Sequence, residues 1–296
     1  MRNNERQIKI KVKKKTNTKT KIKTAKTAGF CFGVRRAIEL AEKTVRGKKR
    51  IYTLGPIIHN PQEISRLSAL GIKAVERPKG LKNETIIVRT HGIPAGLSEK
   101  LKNNCLTVVD ATCPFVKRAQ EIVKKLFAKG FQVVIVGDKT HPEVVGLVSY
   151  AKGNCRVVEK KSDLKNIALA KQVGVICQTT QSPENFSEIM AEIRRRRPQA
   201  EAHNTICRAT DDRQSDVRRL AKTVDVMIVV GGKNSGNTKR LAQIAREYVS
   251  THHIETALEL KKAWLKNAIM VGITAGASTP DWIIKNVQRR IKALIE

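Results

Sequence analysis

The sequence predicts an α/β fold of three pseudo-repeated units, each with a parallel sheet. Two observations lead to this prediction. Short runs rich in valine and isoleucine, typical of strands buried in parallel sheets, alternate with amphipathic segments. Three cysteines recur at one kind of strand-to-helix junction, with 82 residues from Cys31 to Cys113 and 94 from Cys113 to Cys207. The 296 residues suffice for such units.

The strands and helices are predicted from periodicity. Buried strands are predicted in "TIIVRT" (85–90), "LTVVDAT" (106–112), "FQVVIVGD" (131–138), "QVGVICQTT" (172–180), "VDVMIVVGG" (224–232) and "AIMVGITAG" (268–276). Amphipathic helices are predicted at 33–46, 114–128, 183–196, 235–249 and 280–295. The last begins with Pro-Asp and carries Ile283, Val287 and Ile291 on one face. This alternation indicates βαβ units with helices on both faces of each sheet.

Each repeated cysteine follows an extended stretch and precedes a helical one, in "TAGFCFGVRRA", "VDATCPFVKRA" and "NTICRATDDRQ". Ligand sites of open α/β sheets form at such strand ends, and a helix N-terminus favours a thiolate. Three thiolates could hold zinc together with a fourth ligand, or an iron–sulfur cluster with one open iron. The spacing leaves both possibilities open. Cys105, Cys155 and Cys177 lie in strand-like runs and are predicted to be core residues.

Three histidines lie in loop-like segments beside predicted strands: His59 in "GPIIHNPQ", His91 in "RTHGIPAG" and His141 in "DKTHPEVVG". One such histidine is usually solvated, whereas three together indicate an anion pocket. Glu143, in "HPEVVG", is one of few acidic residues. It could act as a general acid if a low-dielectric site raised its pKa, and it would otherwise be a solvated loop residue.

Two segments with small residues precede helices. In "GGKNSGNTKRL" (231–241), backbone N–H groups and the side chains of Ser235 and Asn237 could hold phosphate oxygens. Ser278 in "AGASTPD" repeats this arrangement. Helix capping is the alternative interpretation of both segments. The Walker A pattern is absent, so the sequence does not indicate ATP binding.

The net charge is +32, and residues 1–26 contribute +10 of it through eleven Lys or Arg and one Glu. Such a block is typical of a solvated tail, or of one that touches polyanions nonspecifically. No run of 18 apolar residues occurs, and the N-terminus lacks the apolar stretch of a secretory signal. We therefore expect no membrane span, reduced cysteines and a cytoplasmic location.

Eight motifs occur in an order that resembles one enzyme family: "AGFCFGVRRAIE", "GPIIHN", "THG", "DATCP", "HPEVVG", "QTT", "NSGNTKRL" and "TAGASTPD". Over residues 21–296 the chain resembles 4-hydroxy-3-methylbut-2-enyl diphosphate reductase, the iron–sulfur enzyme of the last step of the non-mevalonate isoprenoid pathway. The resemblance implies three α/β units around a central iron–sulfur site. It also implies reductive dehydroxylation of the substrate to isopentenyl diphosphate and dimethylallyl diphosphate.

Carried over by motif, the resemblance implies one 4Fe–4S cluster with one open iron and three ligands, Cys31, Cys113 and Cys207. It implies a substrate-binding set of His59, His91, His141, Thr179, Ser235, Gly236, Asn237 and Ser278. It also implies catalytic roles for Glu143, His141 and Thr179, in which Glu143 supplies protons.

The expected partners are a small allylic diphosphate substrate and a ferredoxin- or flavodoxin-like electron donor. We expect a monomer in the bacterial cytosol, with a plastid as the other compartment, and nucleic-acid contact at most nonspecific through the basic tail. The predicted divisions are a basic extension at 1–20 and units at 21–113, 114–207 and 208–296. The first strand is a candidate for the sheet of the third unit.

Two other classes of protein stay open on the sequence. A basic nucleic-acid-binding protein would account for the charge, but not for the cysteine junctions or the phosphate loops, and only 4% of the residues are aromatic. A zinc-dependent or metal-free enzyme acting on a diphosphate is the second. Metal analysis and the colour of the anaerobically purified protein distinguish these classes from an iron–sulfur enzyme.

Overall fold

A computed structural model describes residues 20–46, 50–78, 80–103 and 107–296. Apart from Thr20, the predicted basic extension lies outside these ranges, and so does Cys105 with its predicted core position. Within the same ranges, no helix has both the length and the apolar character needed to cross a bilayer.

The strands form three four-stranded sheets in which neighbouring strands are parallel. In chain order they are β1 (Lys21–Thr24), β2 (Ile51–Leu54), β3 (Ile72–Val75), β4 (Thr85–Val88), β5 (Thr107–Asp110), β6 (Gln132–Val136), β7 (Cys155–Val158), β8 (Val173–Cys177), β9 (Glu201–His203), β10 (Val226–Val230), β11 (Thr251–Ile254) and β12 (Met270–Ala275). The six predicted runs contain β4, β5, β6, β8, β10 and β12, so these strands are confirmed.

The three sheets have equivalent strand orders: β3-β2-β4-β5, β7-β6-β8-β9 and β11-β10-β12-β1. We call β2, β6 and β10 the first inner strands, and β4, β8 and β12 the second inner strands. We call β5, β9 and β1 the cysteine-side edge strands. In the third sheet β1 takes this edge position, because Lys21 to Thr24 pair with Met270 to Ile273 of β12. The predicted organisation in three pseudo-repeated units is confirmed.

The strands that the periodicity did not reveal are short, and most lie at sheet edges. In β3, Lys73 and Ala74 are exposed, and β9 has only three residues. An edge strand pairs on one side only and is partly solvated, so it lacks a continuous apolar run. By contrast, every residue of β6 and β8 is buried, which explains why the sequence shows these two inner strands clearly.

The helices are α1 (Phe32–Val45), α2 (Pro61–Ala69), α3 (Leu97–Asn103), α4 (Pro114–Ala128), α5 (Pro142–Tyr150), α6 (Pro183–Arg196), α7 (Arg208–Ala221), α8 (Gly236–Arg246) and α9 (Asp281–Ile295). Four of the five predicted helices are confirmed to within one residue at each end. The predicted helix 235–249 extends too far, because α8 ends at Arg246. There the N–H groups of Tyr248 and Val249 both donate to the Ala245 carbonyl, and the chain turns into β11.

The hydrophobic core lies between the sheets and the helices that cover them. Ile283, Val287 and Ile291 of α9 are buried against β10 and β12, on the helical face that the sequence predicts. Burying each such side chain contributes about 1.5–3 kcal/mol to folding. This packing holds the strands in register, so their carboxyl ends present loops in fixed positions.

Candidate active site

Loops from equivalent strand ends of the three units line one cavity of about 820 Å³, including its opening to solvent. After the cysteine-side edge strands come Cys31, Cys113 and Cys207. After the first inner strands come His59, His141 and Ser235. After the second inner strands come His91, Thr179 and Ser278. The carboxyl edge of parallel sheets is where small-molecule sites form.

The three cysteines are held by equivalent backbone contacts. Each is the residue directly before a helix, namely α1, α4 or α7, and each is a half-buried free thiol. Each cysteine N–H donates to a carbonyl in the loop after a second inner strand. The acceptors are Ala277 for Cys31 at 3.1 Å, Thr90 for Cys113 at 2.9 Å and Thr179 for Cys207 at 2.8 Å. The same unit architecture therefore places each sulfur at the cavity wall.

The number of thiols at the cavity wall indicates which metal group the site fits. Three thiols, Cys31, Cys113 and Cys207, line the cavity, and no further cysteine among the described residues does. A closed structural zinc site would need a fourth protein ligand, whereas this donor set fits an iron–sulfur cluster with one open iron.

The charges around the thiols favour binding of a cationic group. Burial raises the pKa of Cys113 and of Cys207, and the negative charge of neighbouring cysteines raises both further. The amide groups of Phe115 and Val116 at the start of α4 act in the opposite direction on Cys113. Binding a cationic group would offset the mutual repulsion and release the protons.

The three loop histidines form one cluster. Ring centroids are 4.8 Å apart for His59 and His91, 5.1 Å for His91 and His141, and 5.9 Å for His59 and His141. His141 Nδ1 accepts the N–H of Glu143 at 3.2 Å, so Nε2 carries the proton of the neutral ring. Nδ1 of His91 is buried without a hydrogen-bond partner. These ring nitrogens are placed to share one bound group.

The imidazoles are neutral when no anion is bound. Burial lowers the pKa of His59, lowers that of His91 well below its usual range, and lowers that of His141 to about 4. The positive charge of Arg89 lowers all three further. An anion in the cavity would act in the opposite direction and favour protonation of the rings.

Glu143 and Thr179 form a buried pair on the cavity wall, with exposed fractions of 2% and 6%. The backbone N–H of Thr179 donates to Oε1 of Glu143, and the Thr179 hydroxyl donates to Oε2, both at 2.7 Å. Burial raises the pKa of Glu143 to about 7, although both hydrogen bonds favour the charged form. The carboxyl group can therefore carry a transferable proton near neutral pH.

The loop before α8 combines helix capping with free polar groups. The Ser235 Oγ accepts the Thr238 N–H at 3.3 Å, so the predicted capping role is present. Its hydroxyl proton remains available, and the buried Nδ2 of Asn237 has no hydrogen-bond partner. Gly236 and Ser278 line the same cavity. At this helix N-terminus, backbone and side-chain donors are available to an anion.

The LytB protein family matches residues 22–292. The chain belongs to this family. It is 48% identical over 277 residues to the 4-hydroxy-3-methylbut-2-enyl diphosphate reductase of Aquifex aeolicus, covering 92% of this chain and 96% of the relative. The reductase of Geobacter metallireducens is 47% identical over 271 residues, covering 91% of this chain and 96% of the relative.

Two solved structures of LytB-type reductases have the same fold. One is a (E)-4-hydroxy-3-methyl-but-2-enyl diphosphate reductase, described as the terminal enzyme of the non-mevalonate pathway. It is 48% identical with a TM-score of 0.73, and the alignment covers 92% of this chain and 99% of that one. The other is the E-1-hydroxy-2-methyl-but-2-enyl-4-diphosphate reductase from Plasmodium falciparum, which is 28% identical with a TM-score of 0.86, covering 93% and 88%.

Further cavity residues of this LytB-family chain were not predicted from the sequence. The polar ones among them are Thr90, Gln178, Thr180, Thr210 and Arg213. The periodicity of α7 contains a signal for the last two, because Thr210, Arg213, Val217 and Leu220 recur at helical spacing on its buried face. A charged residue on a buried helical face is a sign of a site rather than of a solvated surface.

Gly33 provides a test of how closely α1 and α4 approach each other. A Cβ atom at this position would lie 2.5 Å from Sγ and 3.2 Å from Cβ of Cys113. We expect Gly33→Ala to displace the Cys113 sulfur and to destabilise the chain by about 1–3 kcal/mol, the usual cost of overpacking. Denaturant unfolding of the metal-free chain and the iron content of the purified protein measure the two effects.

Gly146→Ala is the matched control, since Gly146 lies within α5 and its added Cβ would meet only carbonyl oxygens at 3.9 and 4.0 Å. Alanine should stabilise that helix by about 0.5–1 kcal/mol. If Gly33→Ala had the same free energy of unfolding and the same iron content as this control, the close approach of Gly33 and Cys113 would be contradicted.

Proposed function

We propose that the chain reduces (E)-4-hydroxy-3-methylbut-2-enyl diphosphate to isopentenyl diphosphate and dimethylallyl diphosphate. Two electrons and two protons enter, and the allylic hydroxyl leaves as water. The observation that carries the proposal is the cavity in which three cysteines, three histidines and the Glu143–Thr179 pair lie together. Full-length similarity to curated reductases supports it.

The LytB reductases use a 4Fe–4S cluster. In this chain we assign its ligands as Cys31, Cys113 and Cys207, with one iron left open, because each unit contributes one sulfur to the wall and neither Cys155 nor Cys177, the other cysteines that the structure describes, lines the cavity. When bound, the cluster supplies electrons one at a time and a Lewis-acidic iron at the hydroxyl end of the substrate. A ferredoxin- or flavodoxin-like protein is the proposed electron donor.

The diphosphate end of the substrate is assigned to the histidine cluster and the loop before α8. The amide of Asn237, the hydroxyls of Ser235 and Ser278 and the backbone around Gly236 are donors for its oxygens. His59, His91 and His141 take up protons as the anion enters, because its negative charge opposes the burial and the nearby positive charge that lower their pKa values. Exclusion of water from the cavity strengthens these contacts.

Proton delivery is assigned to Glu143 and Thr179. Oε2 of Glu143 and Oγ of Thr179 are 2.7 Å apart, so a protonated Glu143 can donate to the Thr179 hydroxyl, which then donates into the cavity. His141 is the second catalytic neighbour, since its Nδ1 contacts the Glu143 backbone and its Nε2 remains a donor. The pair thus protonates the departing oxygen as the C–O bond breaks.

The raised pKa of Glu143 predicts a pH dependence of stability. Folding raises this pKa from 4.5 to about 7. In this interval the folded chain retains a proton that the unfolded chain has lost, so the contribution of Glu143 to stability is greatest below pH 4.5. The contribution should fall by about 3 kcal/mol as the pH rises to 7 and then stay constant.

The measurement is urea unfolding of the cluster-free wild type and of Glu143→Gln at several pH values across this interval. The difference between the two free energies should follow the stated curve, because the glutamine cannot titrate. A difference that does not change with pH would show that Glu143 has an ordinary pKa in the folded chain.

The function is tested by anaerobic purification followed by iron and sulfide analysis and by substrate-dependent oxidation of a reduced viologen dye. We expect a brown protein with nearly equal iron and sulfide and with dye oxidation that depends on the allylic diphosphate. Zinc without iron would favour the zinc-dependent alternative. A colourless protein with salt-sensitive binding to random RNA would favour the nucleic-acid alternative.

The organisation beyond the site is also proposed. The unit boundaries 113/114 and 207/208 each fall between a cysteine and the helix that it precedes, and β1 lies in the sheet of the third unit. We propose a monomer, because the site is built from one chain. A cytoplasmic location and, at most, nonspecific polyanion contact by the basic tail are proposed with it. Size-exclusion chromatography with light scattering measures the oligomeric state.

A further inference from the structure

Arg213 is a buried cation at the wall of the candidate active site. It lies on α7, six residues after Cys207, and only 5% of the residue is exposed. It lines the same cavity as Cys31, Cys113 and Cys207. Its position is unusual for a charged side chain, because burial of a charge is costly unless a counter-charge is present.

The guanidinium connects two of the cysteine segments. Its Nη2 donates to the carbonyl of Gly29 at 2.6 Å, two residues before Cys31. Its Nη1 donates to the carbonyl of Ala209 at 3.1 Å, two residues after Cys207. Its Nε is buried and has no hydrogen-bond partner. One donor of a fully charged group therefore remains available beside the two cysteines.

No carboxylate neutralises this cation in the described residues, whose ion pairs do not include Arg213. Burial lowers the pKa of the guanidinium, whereas Cys31 and Cys207, followed by Asp212, raise it. Arginine stays protonated in proteins, so the charge persists. When a cluster is bound, the main counter-charges are therefore the thiolates of Cys31 and Cys207, and Asp212 contributes less.

We propose that Arg213 is a positioning residue that holds the Cys31 and Cys207 segments together and offsets the negative charge of their thiolates, thereby raising the reduction potential of the cluster they bind. This inference rests on the proposed cluster ligands. The potential of an iron–sulfur centre depends on its net charge, on hydrogen bonds to sulfur and on exposure to solvent. A buried cation acts on it more strongly than an exposed one, because solvent screens the latter.

Three variants separate charge from hydrogen bonding. Arg213→Gln removes the charge and keeps hydrogen-bond donors. Arg213→Lys keeps the charge but loses the planar guanidinium group and its two-pronged donor geometry. The control is Arg208→Gln, which removes a cation that directly follows Cys207 but is 87% exposed and 3.9 Å from Asp212. The measurement is the midpoint potential of the purified holoprotein in an anaerobic redox titration followed by electron paramagnetic resonance, with iron and sulfide determined on each sample.

Arg213→Gln should have a more negative midpoint potential than wild type, with Arg213→Lys close to wild type and Arg208→Gln shifted less than Arg213→Gln. If the glutamine variant loses its iron while the lysine variant keeps it, the role of the charge is supported. Equal potentials in wild type and Arg213→Gln, or loss of the cluster from the glutamine and lysine variants alike, would overturn the inference. A wild type without iron and sulfide would instead refute the proposed cluster ligands, and this inference with them.

Discussion

Glu143→Gln should retain the cluster and bind the diphosphate substrate, yet lose about 100-fold or more of its turnover, since general acid–base catalysis typically contributes ~10²–10⁴-fold. The glutamine has nearly the same size and keeps an acceptor for the Thr179 N–H, but it has no acidic proton to pass to the Thr179 hydroxyl. The measurements are steady-state dye oxidation and substrate binding on anaerobic protein of known iron content.

Glu63→Gln is the matched control for this experiment. Glu63 is also a nearly fully buried carboxylate in the first turn of a helix, but it is bonded to Arg66 and to Trp282 and does not line the cavity. Its replacement should lower stability, because Arg66 loses its buried carboxylate partner and keeps only Glu42, and it should leave kcat unchanged. Turnover of Glu143→Gln close to that of this control would remove Glu143 from the mechanism.

Cys113→Ser should remove most of the bound iron and sulfide, and activity with them. Serine offers a hydroxyl that stays protonated at neutral pH, whereas the proposed site needs a thiolate from each unit. Loss of a direct ligand should lower the affinity for the cluster by more than the ~10–100-fold that is typical when a residue contacting a ligand is replaced. Iron and sulfide analysis and the visible absorption of anaerobic protein measure it directly.

Cys155→Ser is the corresponding control at a cysteine outside the cavity. Cys155 is half-buried at the start of β7 and packs against the core of the second unit. Its serine variant should keep the colour and the turnover of wild type, with at most a modest loss of stability. Brown, active Cys113→Ser protein would contradict the assignment of Cys113 as a ligand.

The fold was predictable in proportion to burial. Every residue of the inner strands β6 and β8 is buried and nearly all are apolar, so both are evident from composition alone, whereas the inner strand β2, with half-buried Tyr52, is not. The edge strands β3 and β9 are short or partly exposed and leave no comparable pattern. Cys113 and Cys207 stand directly before their helices because a proline or a polar run opens each helix, which is a local property of the chain.

The local sequence determines which residues are candidates: thiols before helices, imidazoles in loops and small residues at the start of α8. Their convergence depends on strand order, since Cys31 joins the other sulfurs only because β1 pairs with β12 across some 250 residues of chain. The contact of Glu143 with Thr179 and the burial of Arg213 likewise arise between segments distant in sequence. Hydrophobic periodicity reflects which residues of one segment are buried and which are exposed to solvent. A shared cavity, a raised pKa and an unpaired cation depend instead on which segments pack together.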